Sequence, residues 1–119
     1  MTVWTLVTGA LTSVLLVQNV SAQPKDILTG RYMLIGCEEA LASQFTFGAG
    51  LCTGTLEGLR FAGEVLEPKE TRFCAPNEVT RIELVAAVVK WMKQHPKELE
   101  ANFTSIAIIA LSFTWPCKS

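Results

Sequence analysis

Five side chains in this sequence are suited to nucleophilic, metal-binding or redox work: Cys37, Cys52, Cys74, Cys117 and His95. A thiolate beside an imidazole is a nucleophile, and the same groups with carboxylates could hold a metal. The cysteine spacings match no zinc ribbon or finger, however, and a single histidine is a poor co-ligand. A nucleophilic cysteine also needs a free thiol. Four cysteines in a small exported domain read instead as two disulfides, because compartments outside the cytoplasm are oxidising. Glu38 and Glu39 are neighbours in sequence, so a helix points them to different sides rather than at one substrate. His95 precedes Pro96 at a helix boundary and reads as an exposed turn residue. Asn102-Phe103-Thr104 fits the glycosylation sequon but falls inside an expected helix. No glycine-rich phosphate loop is present, since the glycines are spaced for helix packing. The expectation is a non-enzyme with no cofactor and no metal, whose four cysteines are structural.

Export is read from the first 22 residues, which carry no charged side chain and end in Val20-Ser21-Ala22. The uncharged run from Val3 to Val17 has the length of a signal-peptide core and is short for a membrane span of ~20 residues. Cleavage is expected between Ala22 and Gln23, with a retained N-terminal anchor as the alternative. Residues 23–119 then suffice for one domain and are too few for two. A formal net charge of −1 supplies no basic field for nucleic acid and no polybasic patch for anionic lipid.

The elements that must carry the cysteines are helical, because apolar residues recur at spacings of three and four rather than two. A first helix is expected from Ile27 into Ala42, on the stripe Leu28, Tyr32, Ile35 and Leu41. A second spans about Ala49 to Ala62. Along it Gly50, Gly54, Gly58 and Ala62 repeat every fourth residue, lining small side chains on one face. Glycine costs a helix interior ~1 kcal/mol relative to alanine, so this regularity implies close approach of another helix. Packing against a neighbouring helix of the same chain is the favoured reading, with a dimer seam as the alternative. Residues 63–76 form the longest irregular stretch, containing Pro68, Pro76 and the charged Glu64, Glu67, Lys69, Glu70 and Arg72. It should be exposed.

The third helix starts at a capping box, Thr80 with Glu83, and runs along Ile82, Val85, Val89 and Met92 to Lys93. His95-Pro96 ends it and begins a fourth, striped by Leu99, Phe103, Ile106, Ala110 and Phe113 and closed by Trp115-Pro116. The short turn folds these last two helices into an antiparallel hairpin. The expected fold is all-α, a compact bundle of about four helices stapled by two disulfides. Because Cys74 and Cys117 fall at the same end of the hairpin, pairing them leaves Cys37 with Cys52. The loop before Cys74 could equally reach Cys52, leaving Cys37 for Cys117.

Phe73-Cys74-Ala75-Pro76, the helix ending in His95-Pro96 and the closing Trp115-Pro116-Cys117 together resemble the type VI secretion amidase-immunity (Tai) proteins of Gram-negative bacteria. Cys52-Thr53-Gly54-Thr55-Leu56-Glu57-Gly58 is similar to that family's Cys-x-Gly-Tyr-x-x-Gly, with Thr55 where a tyrosine is usual, and Leu34-Ile35-Gly36-Cys37 resembles its first cysteine-bearing helix. The resemblance implies a periplasmic protein, often a homodimer, that plugs the catalytic cleft of a peptidoglycan amidase toxin. The matching positions are scaffold residues, so they do not name the plug. The exposed charged stretch supplies the candidate partner-binding residues: Glu64, Glu67, Glu70 and Arg72. A non-catalytic periplasmic scaffold or small-ligand-binding module is the alternative, and an apolar cavity between the helices would favour it.

Overall fold

The structure, a computed structural model, describes residues 26–65 and 73–118. The leader expected over residues 1–22 lies outside them. Four α-helices carry the chain: α1 (Gly30–Leu41), α2 (Phe47–Val65), α3 (Arg81–Gln94) and α4 (Phe103–Thr114). The all-α expectation holds among the described residues, and both disulfides form as the hairpin argument favoured: Cys37–Cys52 and Cys74–Cys117.

Each helix starts on a side-chain oxygen. Thr29 accepts from the Tyr32 N–H at the start of α1, and Thr46 from Ala49 at the start of α2. Thr80 accepts from Glu83 at 3.1 Å, the threonine half of the expected capping box. The fourth helix departs from expectation. Pro96–Glu98 is one turn of 3₁₀ helix, and α4 begins only after Asn102, whose Oδ1 accepts from the Thr104 N–H at 2.9 Å. The sequon asparagine is therefore a helix cap rather than a mid-helix residue. Tertiary hydrogen bonds cause the break. The first N–H groups of α1 have no partner within their own helix, and those of Gly30 and Arg31 donate to the carbonyls of Ala101 and Leu99. Phe103 N–H donates in return to Leu28, so the starts of α1 and α4 satisfy each other.

The core lies where the inner faces of the helices meet, and its largest fully buried members include Met33, Leu56, Leu84, Met92, Ile106 and Leu111. Three expected stripes are corrected: in α3, Ile82 is exposed and Leu84 and Val88 join Val85, Val89 and Met92 inside. In α1, Ile35 is exposed and the inward face is Met33, Gly36, Cys37 and Ala40. In α4, Ala107 and Leu111 are buried while Phe113 is exposed. The face of α1 is set by what it meets: α1 packs chiefly on α2, and the two backbones cross at Gly36 and Gly48. A Cβ on Gly36 would collide with the Gly48 carbonyl and stand 2.8 Å from its Cα. Next to Gly36 on α1 and one turn past Gly48 on α2, Cys37 joins Cys52, both residues wholly buried.

The glycine stripe of α2 is corrected in the opposite direction. Gly50, Gly54 and Gly58 are exposed, and a Cβ at any of them would meet nothing within 4 Å. Among the described residues no helix lies against them. Close approach occurs on another side of the same helix, through Gly48.

Candidate functional site

The candidate partner-binding residues lie around the end of α2. This helix runs to Val65, so Glu64 is an exposed residue of its last turn rather than part of a loop. Glu67, Glu70 and Arg72 lie outside the described residues. The points where residues 66–72 leave and rejoin the described chain are both firmly held. On the near side Arg60 Nη2 donates to the Val79 carbonyl at 2.8 Å, tying α2 to the approach of α3, and Glu57 lies 3.6 Å from Arg81. On the far side Phe73 is buried in the core. Cys74 N–H then donates to the Trp115 carbonyl at 2.8 Å, and its sulfur is bonded to Cys117. The described residues on either side of positions 66–72 are thus a helix end and a disulfide-bonded cysteine.

Two hollows flank this region. A cleft of about 280 Å³ lies between Arg60, Glu64 and the Phe73–Ala75 anchor. A larger groove of about 800 Å³ runs from the α1–α2 connection across α2 to the start of α3, past Phe45, Gly50, Thr53, Glu57 and Ile82. This is a surface groove rather than the interhelical apolar cavity that a ligand-binding module would need. Phe45 at its edge is fully exposed, and Phe47 and Phe61 on α2 are about two-thirds exposed. Sequence reasoning missed these aromatic residues as a surface feature. The signal was available, because Phe47 and Phe61 continue the glycine stripe at helical spacing on either side.

His95 caps α3, its N–H donating to Met92. Its ring stacks on Trp91 with centroids 4.0 Å apart, and Nδ1 lies 2.7 Å from the Trp91 carbonyl. A carbonyl only accepts, so this contact places the proton on Nδ1. Glu38 turns outward to Lys93, 3.1 Å away, while Glu39 lies toward Gly48, so the adjacent carboxylates diverge as their spacing requires. Among the described residues no three His, Cys, Asp or Glu side chains are placed to hold a metal, and no helix is long and apolar enough to cross a membrane.

A family model described as Rap1a immunity proteins matches residues 29–117, a span that includes all four cysteines. No curated protein and no solved structure matches the chain.

Proposed function

The chain belongs to the Rap1a immunity protein family, a type VI secretion immunity family, and from that premise we propose that it is a periplasmic immunity protein that binds and occludes the active site of a secreted peptidoglycan amidase. The observation that carries the reading is the family match across the whole disulfide-bonded domain. An immunity family implies a cognate toxin as partner. The amidase target rests on the likeness of Cys74-Ala75-Pro76, His95-Pro96 and Trp115-Pro116-Cys117 to amidase-immunity proteins. Residues 1–22 act as the export signal and are removed, and residues 23–119 form the immunity domain, working as a homodimer. Two disulfides agree with that compartment, since they persist in an oxidising one.

In this reading the plug is the charged stretch of sequence between α2 and Cys74, with Glu64, Glu67, Glu70 and Arg72 meeting the toxin. Polar and charged groups on an anchored loop steer encounter and fix register. The test is to purify the product of the neighbouring gene and titrate it against this protein, following wall-cleaving activity. Nanomolar binding to a Cys/His amidase, with loss of that activity, is the expected result. A neighbour of another kind, or no binding, overturns the reading. The E64A/E67A/E70A/R72A variant should melt as the parent does yet lose the toxin; unchanged affinity would remove the loop assignment and leave the immunity function standing.

A further inference from the structure

A disulfide is exchanged only where a thiolate can reach one of its sulfurs, so access decides which bonds of a folded protein are open to chemistry. The two bonds here differ completely in that respect. Cys37 and Cys52 have no accessible surface, enclosed where α1 crosses α2. Cys74, by contrast, is exposed and Cys117 half-buried. Attack on Cys37–Cys52 requires α1 to be prised from α2, an opening drawn from the core of the molecule. Attack on Cys74–Cys117 requires no opening.

The surroundings of Cys74 supply a place for the attacking group. Cys74 lines the 280 Å³ cleft together with Arg60, Glu64, Phe73 and Ala75. Arg60 brings a positive charge that favours a thiolate and Glu64 a negative one that opposes it, so the cleft offers access rather than a field. Both cysteines also stand outside the helices, Cys74 before α3 and Cys117 after α4. Parting their sulfurs therefore breaks no helical turn. The joint they close is otherwise held by the Cys74 N–H, which donates to the Trp115 carbonyl at 2.8 Å, and by the buried Phe73. Pro76 and Pro116 have no N–H with which to extend it.

We propose that Cys74–Cys117 is a thiol-exchange site, opened by a dithiol reductant of the Cys-x-x-Cys class while Cys37–Cys52 stays closed. One thiolate of the reductant attacks Cys74 Sγ and forms a mixed disulfide. The Cys74–Cys117 bond breaks, and Cys117 leaves as a thiolate that takes up a proton. The reductant's second thiolate then attacks its own sulfur in the mixed disulfide and releases Cys74, which is protonated in turn. The protein gains two electrons and two protons, which the dithiol loses on becoming a disulfide. The consequence is local. The approach to α3 and the end of α4 lose their covalent link, while the α1–α2 pair keeps its own. This goes beyond the immunity reading and does not depend on what the toxin is.

The test uses the full chain, expressed with its leader and purified oxidised, in native buffer with dithiothreitol as the dithiol. Samples are quenched with N-ethylmaleimide and the labelled peptides mapped by mass. Cys74 and Cys117 should be labelled at least about a hundredfold faster than Cys37 and Cys52, as an exposed joint and a core position differ in opening. Both bonds opening at one rate, or Cys37–Cys52 opening first, overturns the assignment. Glutathione, a monothiol, carries no second thiol to resolve the mixed disulfide, so its adduct should collect on Cys74. An adduct on Cys117 alone overturns the direction of attack. C74S/C117S should take up no label over the same interval, and labelling of it at the parent's rate overturns the selectivity. Protein with this bond alone opened should keep its helical circular dichroism signal, while amide exchange at Cys74 quickens at least about tenfold and that in α1 is unchanged. Unfolding on opening, or unchanged exchange at Cys74, overturns the local joint.

Discussion

On the side of α2 that faces α1, Gly48 meets Gly36 so closely that the Gly36 backbone has no room for a Cβ, and one on Gly48 would stand 3.1 Å from the Gly36 Cα; on the outer side, a Cβ at Gly50, Gly54 or Gly58 would meet nothing within 4 Å. The same residue type therefore does opposite things within one helix. At the crossing, glycine is required by a neighbour already present in the chain, and the contact is locked by a buried disulfide beside it. On the outer face it weakens the helix by up to ~1 kcal/mol per position with no gain inside the subunit. The difference shows that a glycine spacing marks where close approach is permitted. Whether the approaching surface belongs to the same chain is a separate question.

Substitutions at the two sites should separate them, with the largest effect at the crossing. Replacing Cys37 and Cys52 together by serine removes a wholly buried crosslink closing a 15-residue separation. It should cost about 3 kcal/mol in urea unfolding. A loss below about 1 kcal/mol would mean that packing at the crossing holds without the bond. Gly36→Ala comes next: its Cβ must push the α1 and α2 backbones apart, and we expect a net loss of about 2 kcal/mol in the same measurement. Gly54→Ala should have the smallest effect and the opposite sign. Studied at protein concentrations low enough to keep the chain monomeric, it should raise unfolding stability by about 0.5–1 kcal/mol, since its methyl group meets nothing. A destabilised monomer would show that the outer face is covered within the subunit after all.

The local signals were legible where the chain's own neighbours in sequence decide the outcome. Thr80 caps α3 as its spacing to Glu83 indicated, and Trp115 closes α4 before Pro116. The hairpin argument also favoured the disulfide pairing that forms, because a short turn brings Cys74 and Cys117 to one end. Legibility ended where an apolar residue could face either way. Ile35 and Phe113 fit helical stripes in sequence yet point outward, and Phe45, Phe47 and Phe61 were not recognised as surface. The candidate site was read in part: Glu64 belongs to the end of a helix that runs three residues past Ala62. The extension follows from the absence of any breaker between Ala62 and Val65 other than Gly63, which a helix tolerates.

By itself the sequence determined the all-α class, both ends of α3, the close of α4 and the disulfide character of the cysteines. These depend on residue type and on spacings within one or two turns. Tertiary structure decided which face of α1 and of α2 turns inward, where α4 begins, and which glycines touch another backbone. Both helices carry apolar residues on more than one side, so local periodicity leaves the choice of face nearly degenerate. Contacts between residues far apart in the chain broke that degeneracy: the Gly36–Gly48 crossing, the Cys37–Cys52 bond, and the exchange of hydrogen bonds between the starts of α1 and α4.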